Sequence, residues 1–143
     1  MEEALKYARL AEGLEEVAIG AVIVYEQKVI AGAQNFVRRT YDPTAHAEMV
    51  VIRKASEILK TPYLELCDLY VTLEPCAMCA QAIAWARIRR LYFGAFDPKG
   101  GGVDHGCRVF DQPTCHHRPE VIGGMAADES ARLLKNFFQN RRL

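Results

Sequence analysis

Three side chains in two separate segments have the types and the spacing of metal ligands. Cys76 and Cys79 stand three positions apart, so a helix would place their sulfur atoms on one face, about 5–6 Å apart. His46 lies in an earlier segment and offers an imidazole nitrogen. Zinc binds such ligands tetrahedrally, and three protein ligands leave its fourth position open for catalysis. The pattern therefore predicts one catalytic zinc ion per chain, held by His46, Cys76 and Cys79.

A carboxylate follows the predicted histidine ligand by two positions. A zinc ion held in such a site lowers the pKa of its bound water from about 9, the value for free aqueous zinc, towards ~7, which makes a nucleophile available near neutral pH. A carboxylate beside that water can take up its proton and deliver it to a leaving group. Acidic residues are also favoured in the first turn of any helix. Within this pattern we expect Glu48 to be the catalytic acid and base.

Two other interpretations of the cysteines compete with the catalytic site. A Cys-x-x-Cys pair is typical of thioredoxin-like proteins, but such a pair needs no His-x-Glu partner. A structural zinc site would need a fourth ligand from Cys67, Cys107 or Cys115. The total of five cysteines is odd, which does not favour a disulfide framework. The segment at residues 115–117, Cys-His-His, lacks a second pair at ligand spacing, so no second metal site is expected there.

The elements that must position these residues indicate an α/β fold. We predict helices over residues 2–12, 45–59, 76–87 and 127–142, and strands over residues 19–25, 29–34, 68–73, 90–95 and 119–122. The first two strands form a hairpin, and residues 68–95 form a strand–helix–strand unit with parallel strands and a right-handed crossover. Thr44 is the expected N-cap of the second helix. The predicted fold is a three-layer α/β/α sandwich around a mixed five-stranded sheet.

Length and composition set the limits of this fold. The chain has 143 residues, half of them hydrophobic and a quarter charged, which predicts a single domain over residues 1–143 and excludes a disordered or collagen-like protein. The longest apolar run is too short to span a bilayer, and the acidic N-terminus lacks a signal peptide, so we expect a cytoplasmic protein. Net charge is zero, but basic residues outnumber acidic ones after Pro75, which permits a polyanion to bind there.

These motifs resemble the zinc-dependent cytidine/adenosine deaminase superfamily, whose His-x-Glu and Pro-Cys-x-x-Cys signature carries the same roles. The match is closer to the bacterial tRNA-specific adenosine deaminases, which make inosine at the anticodon wobble position. The matching segments are residues 42–48, 69–76, 78–79, 87–88, 93–95, 97–101 and 128–142. The resemblance covers nearly the whole chain. It implies a cytidine-deaminase-like fold, a tRNA anticodon stem-loop as substrate and a homodimer.

The resemblance also implies roles around the substrate base. Asn35 matches the residue that reads the flipped base, although Asn is also common at turns. Val17 matches the segment that lines the base pocket. This chain has Ala18 where the family commonly has Pro, which leaves the exact pocket wall open. Glu16 is expected on the plain surface.

Further matches imply contacts with RNA. Asp97 matches an acidic residue beside a ribose, and Lys99 lies in the same glycine-rich loop. Arg141 and Arg142 at the end of the last helix match residues that contact RNA, although cations are favoured at any helix C-terminus. Trp85 is expected to pack in the core or in a dimer interface.

Three functions remain at this point. The first is deamination of adenosine in tRNA. The second is deamination of a free base or nucleotide, such as guanine, cytosine or a pyrimidine nucleotide, because the zinc site alone does not separate these substrates. The third is a non-catalytic zinc-containing RNA-binding subunit, which would have no need of Glu48. The loop at residues 97–101 and the C-terminal residues favour the first.

Overall fold

The protein is described from a computed structural model, which covers residues 1–140. Its elements in chain order are α1 (Glu2–Gly13), β1 (Gly20–Tyr25), β2 (Lys28–Gln34), α2 (Val37–Thr40), α3 (Ala47–Leu59), β3 (Cys67–Leu73), α4 (Ala77–Trp85), β4 (Arg90–Ala95), a short 3-10 turn (Val109–Asp111), β5 (Glu120–Gly123) and α5 (Ala127–Gln139). No helix within residues 1–140 has the length and apolar character needed to cross a bilayer.

The strands form one mixed sheet in the order β2-β1-β3-β4-β5. Strand β1 is antiparallel to both β2 and β3, whereas β3, β4 and β5 run parallel. The hairpin, the parallel strand–helix–strand unit and the mixed five-stranded sheet are therefore confirmed. Helix α2 lies within residues 35–44, where the sequence predicts neither a helix nor a strand.

Strand register brings several chain segments to one end of the sheet. Gly20, at the start of β1, lies opposite Gln34, at the end of β2. Ala21 pairs with Val71 near the end of β3, and Leu73 pairs with Ala95 at the end of β4. The connections that leave β2, β3 and β4 and the one that enters β1 consequently meet here. We call this the site end of the sheet.

Helices cover both faces of the sheet and complete the predicted three layers. On one face, α3 and α4 pack on alternate strand residues in the main core, which includes Ile23, Leu69, Val71, Leu91 and Phe93. On the other face, α1 contacts β1 and β2, and α5 contacts β4 and β3. A side chain at Gly20 would collide with the backbone of α1, so glycine permits this close approach.

The start of α3 differs from its prediction. The helix begins at Ala47 with His46 as N-cap, so Thr44 does not cap it. Thr44 instead donates from its N–H and its hydroxyl to Oδ1 of Asp42, at 2.8 and 2.7 Å. Asp42 thus forms a local turn that competes with capping by Thr44. As a result, the predicted histidine ligand lies at the junction of an extended segment and a helix.

Candidate active site

The three predicted metal ligands lie together at two helix N-termini. His46 and Cys76 are the N-caps of α3 and α4, and Cys79 lies in the first turn of α4. His46 Nδ1 is 3.6 Å from Cys76 Sγ and 3.5 Å from Cys79 Sγ, and all three ligand atoms lie within 4.8 Å of one another. A tetrahedral zinc ion with ordinary bond lengths has N···S separations of about 3.6 Å. The donor set and its geometry therefore fit zinc.

The two sulfur atoms are closer than the 5–6 Å expected from helical spacing. The reason is that Cys76 is not helical: its backbone is extended, with φ −71° and ψ 174°. A residue just outside the helix can turn its side chain back over the first turn. The N-cap position thus brings both sulfur atoms within reach of one ion.

Hydrogen bonds among the three ligands shift their pKa values. Hydrogen bonds from Cys79 and from His46 lower the pKa of the Cys76 thiol to about 4. The same bond to Cys76, together with burial, raises the pKa of Cys79. The bond to Cys76 also raises the pKa of His46. Zinc binds thiolate sulfur and neutral imidazole, so it competes with protons for these ligands.

Glu48 lies beside this cluster, in the first turn of α3. It is only 4% exposed, and its carboxyl group interacts with the Cys79 side chain. Burial raises the pKa of Glu48 to about 7. A carboxyl group with such a pKa can both accept and donate a proton near neutral pH. The predicted role as catalytic acid and base is chemically open to it.

Asn35 connects the end of β2 to the start of α3. Its side chain is buried, and Oδ1 accepts a 2.8 Å hydrogen bond from the N–H of Ala47, between His46 and Glu48. This bond satisfies one of the free N–H groups at the helix start, which no local side chain caps. The side-chain NH2 group remains for a substrate. Its predicted contact with the base stays a prediction.

Glu16 corrects a prediction, because it is not on the plain surface. The side chain is buried, and its two oxygens accept hydrogen bonds from the N–H groups of Arg38 and Arg39, at 3.1 and 2.9 Å. It therefore caps the start of α2 from a distant part of the chain. The neighbouring Ala18 is also buried, and Ile19 N–H donates to Val17 C=O at 2.7 Å. The segment before β1 is held firmly at the site end.

A groove of about 540 Å³ brings three predicted substrate-binding residues together. Val17, Asp97 and Lys99 line it, and its other lining residues are Leu73, Ala95, Phe96, Gly100, Ala131, Leu134 and Phe138. It therefore lies between the glycine-rich loop and α5. Arg141 and Arg142, also predicted to contact RNA, lie outside the described residues.

Asp97 has a structural task in addition to its predicted contact with ribose. Its Oδ1 accepts hydrogen bonds from the N–H groups of Lys99 and Gly100, at 3.2 and 3.0 Å. These bonds shape the turn that carries Lys99. The other carboxylate oxygen has no hydrogen bond within the described residues, so one oxygen remains for a ligand.

Glu74 has a role that sequence reasoning missed. It follows β3 directly, and its side chain is buried. Burial raises the pKa of its carboxyl group, but hydrogen bonds from Asp97, His105, Val103 and Asp104 outweigh that and hold the pKa below its usual value. An acidic residue directly after a buried strand was the available signal.

Cys67, Cys107, Cys115 and Trp85 do not belong to this cluster. Within residues 1–140, the group formed by His46, Cys76 and Cys79 is the one that could hold a metal ion. His117 bonds through Nε2 to the carbonyl of Ile88 at 2.7 Å. Trp85 is 62% exposed and lies against the ring of His116, so the core alternative of its prediction is wrong, and the dimer-interface alternative stays a prediction. Helix α4 ends with Trp85 at the protein surface, and the indole ring therefore does not reach the core.

Comparisons with known proteins agree with this geometry. Residues 1–95 match the family model of the cytidine and deoxycytidylate deaminase zinc-binding region. A tRNA-specific adenosine deaminase of Agrobacterium fabrum is 57% identical over 143 residues, which are 100% of this chain and 94% of that protein. A solved structure from studies of A-to-I editing by tRNA:A34 deaminases has a TM-score of 0.92 and 58% identity, over 94% of this chain and 97% of that one. Guanine deaminase from Bacillus subtilis has a TM-score of 0.66 and 30% identity, over 99% and 91% of the two chains.

Proposed function

Because the chain belongs to the cytidine and deoxycytidylate deaminase family, we propose that it converts adenosine to inosine at the anticodon wobble position of tRNA. It is a zinc-dependent hydrolytic deaminase. The observation that carries the substrate is the 57% identity, over the whole chain, to a tRNA-specific adenosine deaminase. The groove that contains Asp97 and Lys99 beside the site end of the sheet supports it.

In the proposed reaction, His46, Cys76 and Cys79 hold the zinc ion. When bound, the zinc supplies a Lewis acid that makes water nucleophilic at neutral pH. The Glu48 carboxylate takes a proton from the attacking water and passes it to N1 as oxygen adds to C6 of adenine. Glu48 then moves the remaining hydroxyl proton to the exocyclic amino group as the C6–N6 bond breaks, so that ammonia leaves and inosine forms with a C6 carbonyl and an N1–H. The raised pKa of Glu48 suits both transfers.

The side chains around the base complete the proposal. Asn35 donates from its NH2 group to an acceptor on the flipped base, while its oxygen stays bonded to Ala47. Val17 contributes an apolar wall, and Asp97 and Lys99 contact the ribose and phosphate of neighbouring nucleotides. Arg141 and Arg142 add phosphate contacts. An unpaired anticodon base suits such a site because it costs less to extrude than a base within a duplex.

Three further expectations belong to the same proposal. Residues 1–143 act as one deaminase domain, and the protein works as a homodimer in the cytoplasm, where its tRNA substrate is found. Trp85 is largely exposed in a single chain, and contact with a second copy would bury its ring. This exposure supports the proposed homodimer.

A second candidate is deamination of a free base, favoured by the 30% identity to guanine deaminase from Bacillus subtilis. The test is to incubate the zinc-loaded protein with a tRNA that carries adenosine at position 34 and to detect inosine by nucleoside chromatography. Parallel reactions contain guanine, cytosine or cytidine. A tRNA with guanosine at position 34 is the negative control. Faster deamination of a free base than of any tRNA would replace the proposed function by the second candidate.

A further inference from the structure

Glu74 binds both ends of the glycine-rich loop through a single carboxylate. Its Oε1 accepts hydrogen bonds from Asp97 N–H at 3.0 Å and pairs with His105 Nδ1 at 2.8 Å. Its Oε2 accepts from the N–H groups of Val103, Asp104 and His105, at 3.2, 3.0 and 3.1 Å. The side chain is 0% exposed, so these donors replace its hydration entirely. Residues 97–105 are therefore closed into a loop around one buried charge.

The middle of the same loop lies against the turn that carries the zinc ligands. Gly102 N–H donates to the carbonyl of Pro75 at 2.8 Å. A side-chain carbon at Gly102 would lie 2.5 Å from Ala77 N and 2.9 Å from the carbonyl carbon of Cys76. Backbone therefore packs directly on backbone at the N-terminus of α4, with no space for a side chain. The loop and the first turn of α4 form one packed unit.

Glu74 links the loop to the turn that carries the zinc ligands. Its own N–H donates to Ala95 C=O at 2.8 Å, which fixes it to the end of β4, and Pro75 and Cys76 follow it directly. A movement of the carboxylate would change the position of Asp97 and, through Gly102, the packing beside Cys76. No other described side chain bonds to both ends of this loop.

We propose that Glu74 is a positioning residue that holds loop 97–105 in its RNA-binding conformation at a fixed separation from the zinc ligands. This inference rests on the proposed function, since it assigns the loop to tRNA. A loop ordered in advance does not have to be ordered when RNA binds, so it binds more tightly. A fixed separation also lets the anticodon backbone contact Asp97 and Lys99 while the target base reaches Glu48.

Glu74→Gln tests the inference with little change of shape. The glutamine oxygen can replace Oε2, and its NH2 group can donate to Nδ1 of neutral His105, but that group cannot accept from Asp97 N–H. We expect KM for tRNA to rise about 10-fold, as for the loss of one hydrogen bond to a charged group, with kcat changed far less. Zinc content should equal that of the wild type. Amide hydrogen exchange at residues 97 and 103–105 should become faster.

Glu65→Gln is the matched control. Glu65 is exposed, and within residues 1–140 its side chain bonds to Arg87 alone, at 3.4 Å, so the variant removes the same charge without touching the loop. It should leave KM and exchange unchanged. His105→Ala is a second variant for the case in which Glu74→Gln does not fold. It removes one of the five hydrogen bonds and should raise KM about threefold, with the same change in exchange.

Two results would overturn the inference. The first is unchanged KM and unchanged exchange in Glu74→Gln, or in His105→Ala if that is the variant that folds. The second is loss of zinc or a fall in kcat at constant KM, which would place Glu74 on the metal side alone. Failure of the proposed function is a separate result, because it requires that the wild type forms no inosine in tRNA. Exchange at residues 103–105 would still decide whether Glu74 holds the loop.

Discussion

The zinc-ligand cluster and the groove that we propose binds RNA are held together in different ways. We call them the metal side and the RNA side. On the metal side, His46, Cys76 and Cys79 are placed by two helix N-termini, and each lies in or next to the first turn. On the RNA side, Val17, Asp97 and Lys99 lie in connections. Two buried carboxylates, Glu16 and Glu74, hold these connections through hydrogen bonds to parts of the chain that are distant in sequence. The proposed chemistry thus rests on local geometry, whereas the proposed recognition of RNA rests on long-range polar contacts. Substitutions on the metal side should change kcat, and those on the RNA side should change KM.

The largest expected effect tests the metal side of this comparison. Glu48→Ala should reduce kcat by about 10²- to 10⁴-fold, the usual contribution of a general acid and base. KM should change little, because Glu48 does not contribute to the groove. Single-turnover inosine formation and elemental analysis of zinc provide the measurements. Near-normal turnover would show that another residue moves the proton.

Acid should also act on the metal side. Burial raises the pKa of Glu48 to about 7, and the proton acceptor is the carboxylate form. Activity is therefore present above this pKa and is lost as the pH falls through it, by about tenfold per pH unit. The positive charge of zinc favours the carboxylate and moves this decline to lower pH. The pH profile of kcat, with zinc content measured at each pH, tests this, and a decline that begins well above pH 7 would contradict it.

Asp97 provides the sharpest test of the RNA side. Asp97→Ala should raise KM for tRNA about tenfold through the loss of a charged hydrogen-bond acceptor. The difference in KM between an RNA stem-loop and the matching DNA stem-loop should become smaller. Asp97→Asn retains an oxygen for the N–H groups of Lys99 and Gly100, so it preserves the turn. If both variants behave like the wild type on RNA and DNA, Asp97 does not read the ribose.

The smallest expected effect concerns the C-terminal arginines. Replacement of Arg141 and Arg142 by Ala should weaken tRNA binding several-fold at low salt. It should also reduce the slope of log K against log salt by roughly one unit for each phosphate that the protein no longer neutralises. Titration of a labelled anticodon stem-loop at several salt concentrations measures both. An unchanged slope would remove these residues from the RNA side.

The metal side could be predicted from the sequence because its information is local. The spacing of Cys76 and Cys79 and the His-x-Glu pair depend on one helical turn each, so residue types alone predict the cluster of His46, Cys76 and Cys79 that the structure brings together. The β1–β2 hairpin and the parallel pair of β3 and β4 follow from the same kind of reasoning, since parallel strands require a crossover.

The RNA side could not be predicted to the same depth. Glu16 looks like a surface residue in the sequence because its hydrogen-bond donors, Arg38 and Arg39, are distant in the chain. Glu74 has no visible partner there for the same reason. Burial of a charge depends on N–H groups that the fold collects from several segments, and no residue type marks them. The resemblance to a family identifies Asp97 and Lys99, but not what holds them in place.

The shared use of Asn35 has a consequence for anyone who would redesign the specificity of this enzyme. Its amide oxygen serves the architecture by capping α3 through Ala47, and only its nitrogen is available to a base. A substitution chosen for a new base would disturb His46 and Glu48 at the same time, so gains in selectivity would be masked by losses in turnover. Redesign should therefore begin at Val17, whose apolar side chain lines the groove and can be varied in size without breaking a side-chain hydrogen bond.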